Sequence, residues 1–155
     1  MKRMLSLWPL GMVLLAGCAS RTVDTTPVWQ QQLPQTGVQM ELSNCTLVDD
    51  EPVYYAMDRD DEKWLERPAL KAEGTPVVTL RGVDAEQVEL RFSENVDFLY
   101  LYYDKVMPQQ DLDYILTVQE DGSLQYRLDT VYNFEFVITT DNGTDDILVI
   151  CQRDI

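Results

Sequence analysis

From residue 37 to residue 152 the apolar side chains of this chain recur at every second position, in short runs broken by turn residues. Side chains of a strand alternate between faces, whereas those of a helix return every three or four residues, so this spacing commits the chain to β-structure. Val38, Met40 and Leu42 alternate with Gln39 and Glu41 and predict a half-buried strand. The same pattern predicts further strands over residues 52–57, 76–80, 86–92, 96–103, 114–118, 124–128, 131–140 and 146–152. One helical turn is expected over residues 60–66, where acidic residues open the segment and Pro68 bounds it. The expected fold is a single immunoglobulin-like antiparallel β-sandwich over residues 37–155 with that one short helical turn.

Two hairpins can be registered. Around Gly122, a three-residue loop with a left-handed glycine places Leu124 opposite Val118, Tyr126 opposite Leu116 and Leu128 opposite Tyr114. A two-residue turn would instead oppose apolar to polar residues. Around Asn142-Gly143, a two-residue turn places Ile138 opposite Ile147, Phe136 opposite Val149 and Phe134 opposite Cys151, all on one face. Cys151 then points into the core. Cys45 must lie opposite it, but Cys45 is out of phase with Val38, Met40 and Leu42, so a bulge is expected near Ser43-Asn44.

The first eighteen residues follow other rules. Lys2 and Arg3 precede an apolar stretch over residues 4–15, too short to cross a hydrocarbon core of about 30 Å as a helix. This is the pattern of a signal peptide, and it ends on Leu15-Ala16-Gly17-Cys18. That tetrapeptide resembles a lipobox, the cleavage and lipidation signal of bacterial lipoproteins. The resemblance implies removal of residues 1–17, fatty acyl groups on Cys18 and, with Ala19 rather than Asp next, an outer-membrane location. Residues 18–36, which hold Pro27, Pro34 and Gln30-Gln31-Gln32, read as the lipidated cysteine and a flexible tether. Within them Trp29 is expected to dock on the domain.

With Cys18 committed to lipid, only Cys45 and Cys151 remain, in a chain exported to an oxidising compartment. They are expected to form a disulfide.

Removal of residues 1–17 from the 155 leaves 138, enough for one domain, in which 10 basic side chains face 27 acidic ones. Nucleic acid is excluded as a partner, because phosphate binding needs clustered Lys and Arg. With no histidine in the chain, Ser-His, Cys-His and histidine-zinc constellations are unavailable. Two acidic clusters carry the oxygen ligands calcium prefers: Asp58, Asp60, Asp61 and Glu62, and, around Asn142, Asp141, Asp145 and Asp146. Neither has EF-hand spacing; the first reads equally as a helix start, the second as a hairpin turn. No metal or cofactor is implied by any motif.

The densest aromatic run, residues 97–104, puts Phe98, Tyr100 and Tyr102 on one strand face. They are either a central core strand or a tyrosine binding face, since Tyr is enriched in interface cores. The function expected from these features is a non-catalytic outer-membrane lipoprotein that binds another protein of the cell envelope as an accessory module. One alternative is an acidic inhibitor or immunity-type lipoprotein neutralising a cationic enzyme or toxin. Another is a carbohydrate binder or carboxylate-based enzyme.

Overall fold

A strand of nineteen residues, β4 (Lys63–Arg81), holds the molecule together by pairing with four others. The computed structural model describes residues 24–48, 53–58, 63–94, 105–129 and 132–152. Along one edge of β4 run β3 (Val53–Asp58) and then β2 (Gln39–Leu47), both antiparallel, from Asp58 opposite Lys63 to Gln39 opposite Arg81. Along the other edge, β10 (Gly143–Gln152) pairs with residues 69–73, and β8 (Leu124–Arg127) pairs with residues 77–80. The handover falls at Gly74-Thr75-Pro76. Gly74 takes φ +108°, a value that side chains disfavour, and Pro76 has no N–H to donate to a ladder. The Pro76 carbonyl still accepts the Leu128 N–H at 2.9 Å, which holds β8 to the new edge.

β4 therefore belongs to two arms. Its first part continues through β10, β9 (Tyr132–Thr140), β5 (Val88–Glu94) and β6 (Lys105–Val106). Its last part lies beside β2, which pairs with β1 (Pro27–Gln32), and beside β8, which pairs with β7 (Leu116–Val118). The arms meet face to face. Tyr126 of β8 and Phe136 of β9 are not ladder neighbours, yet their rings pack edge to face with centroids 5.2 Å apart. Around them one core gathers Leu90, Phe134, Ile138 and Val149 from the first arm and Met40, Leu42, Val78 and Leu80 from the second. The fold is all-β and sandwich-like, as the period-two spacing requires. One pairing departs from the antiparallel pattern: β10 runs parallel to β4, and its residues Ile147, Leu148, Val149, Ile150 and Cys151 are buried on both faces.

The hairpin at Gly122 has the expected register, Val118 opposite Leu124 and Leu116 opposite Tyr126, with Gly122 at φ +86°. The hairpin before β10 keeps the expected face but slips by two residues: Ile138 lies opposite Asp145, Phe136 opposite Ile147 and Phe134 opposite Val149. The turn falls on Asp141-Asn142, neither of which takes positive φ. Gly143 takes it instead, at +145°, in a place where an added Cβ would lie 3.4 Å from Cβ of Gln35. The bulge expected near Ser43-Asn44 is present: the β2 register shifts there and Asn44 is left-handed, at φ +57°.

Three expectations are corrected. Lys63 to Glu66 are strand, not helix. The helix lies instead at α1 (Gln109–Ile115), entered through Pro108, with Leu112 and Ile115 packed on the core one turn apart. It links β6 of one arm to β7 of the other and leaves Tyr114, expected opposite Leu128, 88 % exposed. Finally, residues 27–36 are not tether: β1 pairs with β2, Leu33 and Thr36 are buried, and Trp29 packs against the core. Phe136→Ala should destabilise the domain by about 3 to 5 kcal/mol, and Tyr114→Ala by no more than about 0.5 kcal/mol. Equilibrium urea unfolding reads both; a large loss at Tyr114 would overturn its placement.

Candidate functional site

The buried acid Asp145 organises the end of the sandwich where β1 turns into β2. Because the hairpin slips by two residues, Asp145 sits on the core face opposite Ile138, and its relative exposure is 6 %. A carboxylate removed from water needs donors. Residues 34–36 supply them as a turn closed by the Gly37 N–H on the Leu33 carbonyl at 3.0 Å. The Gln35 N–H donates to Asp145 Oδ1 at 3.2 Å, and the Thr36 N–H and hydroxyl donate to Oδ2 at 2.7 and 2.6 Å. The Thr36 hydroxyl also accepts the Val38 N–H at 3.2 Å, so the acid fixes the entry into β2. All these donors are neutral.

Beside this turn lies a cavity of about 370 Å³. Trp29, Leu33, Leu70 and Ile147 form apolar walls, and Asp145 and Asp146 contribute acid. Among the described residues no Lys or Arg lines it. A second cavity of about 410 Å³ lies where Arg81 and Gly82 meet Asp121 and Ser123. Its charges are matched to one another: Arg81 donates to Asp121 at 2.7 Å and to Glu41 at 3.4 Å. The Ser123 hydroxyl and N–H, with Arg81 behind them, hold the Asp121 carboxyl down to about 2.

Cys45 and Cys151 flank β4. Cys45 lies opposite Gly74 through β2, Cys151 opposite Ala72 through β10, and both face the core. The bulge at Asn44 tips Cys45 inward over Gly74, where an added Cβ would lie 3.5 Å from Cα of Cys45. Asn44 secures that arrangement by donating to the Thr75 carbonyl at 2.9 Å and hydroxyl at 2.7 Å. The two sulfurs are thiols in this structure and are not joined. Burial pushes Cys45 up to about 11, and burial together with the neighbouring Cys45 pushes Cys151 up to about 12. Such thiols are protonated at neutral pH and make poor nucleophiles.

The remaining sequence candidates divide. Asp141 is exposed at the hairpin tip, Asp145 is turned to residues 35–36 and Asp146 lies on the following position of β10. Among the described residues no group of three or more His, Cys, Asp or Glu converges as a metal cage would require. Asp58 ends β3, and Asp60, Asp61 and Glu62 lie outside the described residues, as do Cys18, Phe98, Tyr100 and Tyr102. No helix among the described residues is long and apolar enough to cross a membrane. Sequence reasoning missed the Trp29 and Asp145 cavity. Its one signal is an acid at position 145, on the same alternation as core residues Ile147, Val149 and Cys151. A scan against protein-family models and searches of curated proteins and of solved structures find no match to this chain.

In the reduced protein the two thiols contribute a pH dependence with a definite sign. Their folded pKa values lie above the unfolded value near 9.0, so the stability of the neutral buried thiols is complete below pH 9 and declines as pH rises towards 11. Tyr126, also raised by burial, joins above pH 10. Urea midpoints between pH 9 and 10 should therefore fall for the wild type and stay flatter for Cys45→Ala/Cys151→Ala. Parallel slopes would show that the thiols are not the cause.

Proposed function

We propose that this chain is a bacterial outer-membrane lipoprotein, anchored through acyl groups on Cys18, whose acidic β-domain binds another protein of the cell envelope without catalysing a reaction. The observation that carries the reading is the cysteine-terminated Leu15-Ala16-Gly17-Cys18 directly after a basic and then apolar leader. The short spacing from Cys18 to β1 supports it. Eight residues separate Cys18 from Pro27, so nine Cα-to-Cα steps give an extended reach of about 30 Å. On this reading the Trp29 end of the domain stays close to the lipid surface, so the partner is membrane-proximal. With no histidine in the chain, Ser-His and Cys-His chemistry is unavailable, which favours binding over catalysis. A second reading, neutralisation of a cationic enzyme or toxin, is favoured by the acid-lined cavity beside Trp29.

Cys18→Ser should abolish incorporation of a labelled fatty acid and release the protein from membranes. Continued labelling of the variant would overturn the anchor. For the wild type, crosslinking in intact cells should recover one reproducible envelope protein.

Export would also place Cys45 and Cys151 where a disulfide-exchange oxidant can remove two electrons and two protons from the pair. Strands two apart in a flat sheet lie about 9 to 10 Å apart, beyond the usual span of a disulfide. The inward bulge at Asn44 and the bare Gly74 shorten that gap, and closing it draws the bulge further toward β10. The bridge would close a loop of roughly 100 residues and stabilise the domain by about 4 to 5 kcal/mol in the chain-entropy description. Protein recovered from the oxidising compartment should show no titratable thiol after denaturation without reductant; two thiols would refute the bridge.

A further inference from the structure

We infer that the Cys45 and Cys151 pair is oxidised in the folded domain in a fixed order: an external disulfide exchanges first at Cys45, and Cys151 then displaces it to close the bridge. This order rests on the bridge proposed above and needs neither lipid nor export. Three differences between the two residues set it. The first is access. Cys151 is fully buried in β10, whereas Cys45 is only partly buried. β1 reaches no further along β2 than Ser43, so at Cys45 the one ladder neighbour among the described residues is β4.

The second is freedom to move. The Cys151 N–H donates to Oδ1 of the buried Asn133 at 3.1 Å, which ties the end of β10 to β9. Cys45 instead follows the register shift and the left-handed Asn44, where β2 can be drawn inward without breaking a regular ladder. The thiol that an oxidant meets is thus also the one able to travel. The third is reactivity. With Cys45 raised to about 11 and Cys151 to about 12, Cys45 holds about ten times more thiolate at any pH below both. Its lower basicity returns only about a factor of three in nucleophilicity. Part of the Cys151 rise comes, after burial, from the charge of Cys45. Once Cys45 carries an adduct it cannot ionise, so that part disappears and Cys151 deprotonates more easily when its turn comes.

The chemistry balances in two exchanges. The Cys45 thiolate bonds to one sulfur of the oxidant and expels the other; the Cys151 thiolate then attacks Cys45 Sγ and expels the first. The pair loses two electrons and two protons, and both oxidant sulfurs leave as thiols. Dipyridyl disulfide, which is neutral and so indifferent to the acidic chain, is the probe. It is added in limiting amount to the reduced full-length Cys18→Ser protein in detergent, where Cys45 and Cys151 are the only cysteines. Mass mapping of quenched samples should find the first adduct on Cys45, formed at least about tenfold faster than on Cys151. A bridged species without a pyridyl group should follow. Cys151→Ala should accumulate the Cys45 adduct without resolving it, while the order itself is read on the intact pair. First reaction at Cys151, or equal rates at both, would overturn the order. A Cys45 adduct that persists in the intact pair would overturn the resolving step and the bridge with it. A folded protein that resists the oxidant, when protein from the oxidising compartment is bridged, would overturn oxidation after folding and leave the bridge standing.

Discussion

The two-edged ladder of β4 is the constraint on which the rest of the structure depends. A strand has two edges, and β4 spends one on β3 and β2 and divides the other between β10 and β8. Dividing an edge requires one partner to leave before the next arrives. Gly74 and Pro76 meet that need, one by accepting a backbone angle that side chains avoid, the other by having no N–H to leave unpaired. Because the division happens in the middle of one strand, the arms on either side stay covalently in register while their faces turn toward each other. Tyr126 and Phe136 can then pack across the gap, and the core closes around them. Asn44 belongs to the same device. Its amide grips Thr75 at the handover, so the bulge in β2 and the bend in β4 hold each other in place.

What the sequence made legible follows from how local each interaction is. The Gly122 hairpin was readable to the residue, because apolar matching and one left-handed glycine exclude the alternative loop. The bulge at Asn44 was readable from a phase error alone: Cys45 cannot share a face with Met40 and Leu42 unless a residue is added. The β9–β10 hairpin was readable in face but not in register. Moving a turn by one residue moves its pairing by two, and an even shift leaves every side chain on the same face, so apolar alternation cannot detect it. What decided the register was distant in sequence, the packing of Gln35 against Gly143 and the capture of Asp145 by the turn over residues 34–36.

The missed elements share that origin. Residues 27–32 hold two positions of weak strand propensity for every apolar one and read as tether; they are a strand because β2 offers an edge and the core offers Trp29 a place. Pro68 read as the end of a helical turn over residues 60–66; in the fold it sits inside β4, just before Ala69, where the parallel ladder with β10 begins. Seven residues of helix at Gln109–Ile115 are too few to be stable alone. They form because Leu112 and Ile115 find the core as the chain crosses from one arm to the other.

Asp145 shows how such non-local order reaches chemistry. An acid on a core-facing alternation is an anomaly that must be resolved by donors, and the donors nearest at hand are the backbone groups of a turn about 110 residues earlier. That solution closes the end of the sandwich, positions β1, and sets Asp145 and Trp29 along one cavity. The acidity of the rest of the surface acts over a different distance. Exposed charges are screened within about 8 Å at physiological salt, so their reach shortens as salt rises. A buried polar group such as the Asp145 carboxyl is screened far less. The turn over residues 34–36 therefore does two things at once: it orders the entry into β2 and it holds the Asp145 side chain away from solvent.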